Sequence, residues 1–109
     1  MTNWVEILRE QRREGERMRR DVPKMLADPA IALGQVMALF SALEKQTGFV
    51  EKLVRVLDGN GYEPDIVTSA ERLEGLYAEL AETVAEKARA MWQAGAIIDL
   101  TAERSSGRD

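Results

Sequence analysis

The chain has 109 residues, enough for one domain with a modest core and too few for two. At 45% hydrophobic and 31% charged residues it reads as a folded protein, and a net charge of -4 with a pI near 5.0 opposes general affinity for nucleic acid or anionic membrane. It contains no Cys and no His, which removes disulfides, thiolate chemistry, the commonest general base and the commonest metal ligand, so no catalytic residue, metal or cofactor is expected.

The opening MTNWVEILRE carries Glu6 where a signal peptide needs an apolar run, and no stretch approaches the length of an apolar membrane span. The expectation is a cytoplasmic protein with no membrane partner. Pro23, Pro29 and Pro64 fall where helical periodicity breaks, and they predict three helices at about 3–22, 29–58 and 69–104. These form one domain, 1–104, with 105–109 as a flexible tail.

In the first helix Thr2 or Asn3 is a candidate N-cap. Trp4, Leu8, Gln11, Gly15, Met18 and Val22 share one stripe, with Ile7 beside it. Because Gln11 and Gly15 offer no apolar side chain, this helix is expected to pack at its ends more firmly than at its centre. A connection, PKMLA, then leads to Asp28-Pro29 as the start of the second helix.

Leu33, Val36, Phe40, Leu43, Thr47, Val50, Val54 and Leu57 alternate at spacings of three and four, a coiled-coil seam. A second apolar line, Ile31, Ala38, Ala42, Phe49 and Val56, runs down the other side. A helix apolar on two sides is normally covered on two sides. DGNGYEPD closes it with Gly59 or Gly61 in the left-handed conformation; its glycines and acids do not meet calcium-loop spacing. Thr68 and Glu71 form a capping box for the third helix, whose core stripe is Leu73, Leu76, Tyr77, Leu80, Val84, Ala88, Met91, Gly95 and Ile98.

Helices two and three would be roughly 45 and 54 Å long at about 1.5 Å per residue, against a radius of gyration of about 13 Å for a compact domain of this size. The expected fold is therefore all-α, an antiparallel long-helix hairpin with an additional N-terminal amphipathic helix, assembling into a helical bundle. So thin a hairpin leaves a two-sided helix uncovered, which predicts a homo-oligomer, dimer or higher, with Ile31, Val36, Phe40, Leu43, Phe49, Val50 and Leu57 at the interface. In AMWQAGAIIDL, Trp92 lies about 100° from the core-facing Met91, and Ile97 and Leu100 point further round. These three are candidate contacts for another protein.

Six arginines crowd residues 9–20, fanned over about 160° on the side away from the apolar stripe. With Lys24 they face Glu10, Glu14, Glu16 and Asp21, leaving +3 over residues 9–24 and -7 over the rest. A nucleic-acid-gripping face needs a dense positive surface nearly free of acids, so a solvated, ion-paired face is the first expectation. Docking on an acidic protein surface is the second, and phosphate contact through Arg12, Arg13, Arg17, Arg19 and Arg20 the third.

On the third helix, Glu71-x-x-Glu74 and Glu79-x-x-Glu82, with Glu86, resemble the paired carboxylates by which all-α nucleotide pyrophosphohydrolases hold Mg²⁺. That chemistry needs a second acidic pair projecting from another helix, whereas these five point away from Leu73, Leu80 and Val84. The expected function is thus a non-enzymatic, oligomeric helical interaction protein, acting as adaptor, assembly factor or binding inhibitor. The alternatives are a nucleic-acid-associated protein using the arginine-rich helix, and an oligomer that sequesters a small anionic ligand.

Overall fold

The structure, a computed structural model, describes residues 3–106, with side chains described for 3–95. It consists of α1 (Trp4–Ala27), α2 (Leu33–Gly59) and α3 (Pro64–Ser106), an all-α bundle built on a helical hairpin. Asn3 caps α1 as expected, its side-chain oxygen accepting the Glu6 N–H at 3.1 Å.

The other helix starts differ from the sequence expectation. PKMLA is not a connection: α1 runs straight through the exposed Pro23 to Ala27. One missing backbone bond costs less than releasing Val22 and Leu26, which lie buried on either side of the proline. Asp28-Pro29 is correspondingly a turn, in which Asp28 Oδ1 accepts from Ala30 N–H at 2.9 Å. Only at Leu33 does α2 begin, with the Gln35 side chain accepting the Ala32 N–H at 2.8 Å.

The second turn closes on Gly61, whose φ of 71° is the left-handed conformation a side chain would strain. Gly61 N–H reaches Asp58 O and Tyr62 N–H reaches Leu57 O, both at 3.2 Å, the paired bonds of a Schellman cap. DGNGYEPD is therefore a helix stop. Thr68 lies inside α3, which begins one turn earlier: Pro64 needs no N–H partner at the first position, and Glu63 O accepts from Ile66 at 2.9 Å.

Both other helices pack chiefly on α3. Leu33 and Met37 meet Ala88 and Trp92, so α2 runs antiparallel to it; Val5 and Leu8 lie beside Ile66 and Ser69, so α1 runs parallel. The molecule measures 71 × 23 × 21 Å with a radius of gyration of 19.2 Å, a rod and not a sphere. Its core is one continuous cluster, and Val36, Leu43, Val50 and Leu57 are fully enclosed within it. These heptad-spaced residues close the hairpin inside one chain and retain no surface to offer a second copy. Burying a leucine such as Leu43 or Leu57 contributes about 2 kcal/mol.

The centre of α1 also departs from expectation. Gly15 is buried, and a Cβ there would stand 2.7 Å from Leu73 Cδ1 and 3.3 Å from Leu76 Cδ2. The gap in the apolar stripe is filled from α3, because the missing side chain admits two leucines. One turn earlier, the Tyr77 hydroxyl donates to the Gln11 carbonyl at 3.3 Å, while the Gln11 amide oxygen is enclosed with no partner among the described residues.

Two substitutions separate these roles. Gly15→Leu should lose about 2–3 kcal/mol by overfilling the contact, whereas Gly15→Ala should stay within about 1 kcal/mol, its gain in helix propensity offsetting the shift asked of Leu73. Gln11→Met should gain about 1 kcal/mol by removing an enclosed acceptor that has no donor. Urea denaturation midpoints for the three variants test both statements.

Candidate functional site

All six arginines of α1 are exposed, and three carry carboxylate partners on the same helix: Arg9 with Glu6 at 3.1 Å, Arg17 with Glu14, and Arg19 with Glu16 at 3.6 Å. Such exposed pairs add little stability, but they occupy guanidinium donors that phosphate would otherwise use. Among the described residues Arg12, Arg13 and Arg20 have no ion-pair partner.

The fan is not wholly turned to water. Its near edge reaches α3, where Arg12, Arg19 and Glu16 line a cleft of about 290 Å³ together with Ser69, Arg72, Leu73 and Leu76. Arg72 lies outside the residues expected to contact an anion. Nothing local marks it, because its place beside Arg12 and Arg19 follows from the parallel packing of α1 on α3. Arg13 and Arg20 stand further out, on an open groove shared with Arg9, Arg12 and Glu16.

A second surface lies at the end where α2 begins. There Trp92 is 66% exposed and Met37 50% exposed. With Leu33 and Ala88 they line an almost wholly apolar groove of about 420 Å³, bordered by Arg89 and Gln93. Around the start of α2, Met25, Ile31, Ala38 and Leu39 line another groove of about 460 Å³. Phe49 is 43% exposed further along α2, while Ile31 and Phe40 are half-buried. Of the three candidate partner contacts, Trp92 is thus uncovered; the side chains of Ile97 and Leu100 lie outside the described residues. With 43 residues against 27, α3 outlasts α2 by about 24 Å at this end.

The glutamates of the two Glu-x-x-Glu pairs and Glu86 line neither surface, although Glu82 lies 3.7 Å from Arg89 at the border of the apolar groove. Glu71, Glu79, Glu82 and Glu86 are exposed and Glu74 half-buried; among the described residues no three carboxylates converge as a metal site requires. Among the described residues Tyr77 is the one titratable side chain fully enclosed in the core. Its hydroxyl is pushed up from 10.0 to about 12, first by burial and then by the Glu14 carboxylate, with Arg17 opposing.

An unfolded Tyr77 therefore releases its proton before the folded one does. The stability it contributes is complete below pH 10.0 and is lost as the pH climbs through about 12. Thermal melts across that interval should show a falling midpoint, and Tyr77→Phe should flatten the fall; an unchanged slope in the variant counts against Tyr77 as its source. Set beside known proteins, the chain matches no family model, no curated protein and no solved structure, so the arginine-lined cleft and the open apolar end must themselves carry the functional reading.

Proposed function

We propose that this chain is a non-enzymatic, self-associating helical interaction protein of the cytoplasm, working as an adaptor, assembly factor or binding inhibitor. The observation that carries the reading is the open end, where Trp92 and Met37 stand half or more exposed on an apolar groove. Contiguous exposed apolar surface of this kind mostly marks an interface. Its occupant is a second copy. Beyond Trp92, α3 continues past the start of α2 without a helix of its own chain beside it, and Ile97, Ile98 and Leu100 follow in the sequence. Two such extensions laid antiparallel cover each other and the two Trp92 indoles by one symmetric contact.

The lack of His and Cys supports a role in binding and not in catalysis. The paired arginines and the overall charge of -4 weigh against nucleic acid as the chief partner.

Self-association should give a native mass at micromolar concentration above the 12.2 kDa of one chain. Replacing Met37→Glu and Trp92→Ala together should return that mass to a single chain while leaving the far-ultraviolet helix signal in place. A wild-type mass of 12.2 kDa throughout a dilution series reaching tens of micromolar would reject the proposal.

A further inference from the structure

The cleft between α1 and α3 is lined by three arginines and one carboxylate. Arg12 and Arg19 stand on α1, one turn before and one turn after Gly15, with Glu16 between them; Arg72 approaches from α3. Glu16 lies 3.6 Å from Arg19, and among the described residues neither Arg12 nor Arg72 has an acidic partner. Like charges drawn together on two packed helices are relieved by an anion, and the guanidinium fork matches the tetrahedral oxygens of phosphate. The Ser69 hydroxyl sits on the same wall as a further donor, and Leu73 and Leu76 form an apolar floor.

We infer that this cleft is a binding site for a small phosphorylated molecule. Its phosphate takes Arg12 and Arg72, the two arginines of the cleft without a carboxylate partner among the described residues, while Glu16 holds Arg19 beside them, and its less polar part lies on Leu73 and Leu76. The dimensions favour a compact ligand over a nucleic-acid strand. The cleft is about 290 Å³, its neighbours Arg9 and Arg17 are already paired with Glu6 and Glu14, and Asp65 borders the adjoining hollow at the α3 start. A polymer of phosphates needs an unbroken positive track, which those acids interrupt. A nucleoside diphosphate has the charge that the arginine walls accept and a flat aromatic base whose face fits against Leu73 and Leu76. The site is complete within one chain, so it stands or falls independently of self-association.

The test is an amide and methyl NMR titration of the full chain with pyrophosphate, with ADP, and with a DNA duplex. Pyrophosphate and ADP should give saturable shifts at Ser69 and Arg72, and ADP should also move the Leu73 and Leu76 methyls. Arg72→Gln and Arg12→Gln should each weaken ADP about tenfold or more, the loss expected for one charge-assisted contact. Arg17→Gln, which removes the same charge from an arginine held by Glu14, should change affinity less than about twofold, near the limit set by long-range screening. Circular dichroism checks that each variant stays helical. The inference is overturned by the absence of saturable shifts with both pyrophosphate and ADP, or by equal weakening from Arg17→Gln and Arg72→Gln. Tighter binding of the duplex that ignores Arg72→Gln would overturn it too, and would assign the face to nucleic acid.

Discussion

The contact on which the rest of the molecule depends is the one made possible by a side chain that is not there. At Gly15 the backbone of α1 comes close enough to α3 that even a methyl group would press on Leu73 and Leu76. Interiors packed to crystal-like density yield such room only at a cost, so anything larger than a methyl group here would change the depth or the register of α1. Register in turn decides which arginines face water and which stand beside Arg72. Moving α1 by one residue would turn its stripe by about 100° and carry Arg12 and Arg19 off the cleft.

The large features were legible in the sequence because they rest on many residues at once. The two-sided periodicity of α2, the long stripe of α3 and the outward fan of arginines each integrate over several turns, and a tertiary contact does not easily overrule them. Boundaries rest on one or two residues and were read less well. Asp28-Pro29 and Thr68 to Glu71 are both good helix starts in isolation, yet burial of Leu26 extends α1 and Pro64 opens α3 ahead of Thr68. At Gly61 the competing glycine left the choice open, and the hydrogen bonds of Gly61 and Tyr62 decide it.

Two misreadings have the same physical origin. A bare position in an apolar stripe reads identically whether the partner helix is far away or closer than usual, and Gly15 turned out to be the second case. Likewise a heptad seam does not say whose helix fills it. Val36, Leu43, Val50 and Leu57 find their partner in α3 of the same chain, which leaves Met37, Phe49 and Trp92 as the exposed large apolar side chains of α2 and α3 among the described residues. What a single sequence lacks in both cases is the identity of the facing surface.

The uninterrupted length of α3 has one more consequence. Arg72 and Trp92 stand on the same helix, twenty residues apart by their numbering, which sets them about 30 Å from each other along its axis and about 200° apart around it. The helix therefore acts as a ruler and a compass together. Whatever meets the arginine cleft and whatever meets the tryptophan end approach from nearly opposite bearings, and neither shadows the other.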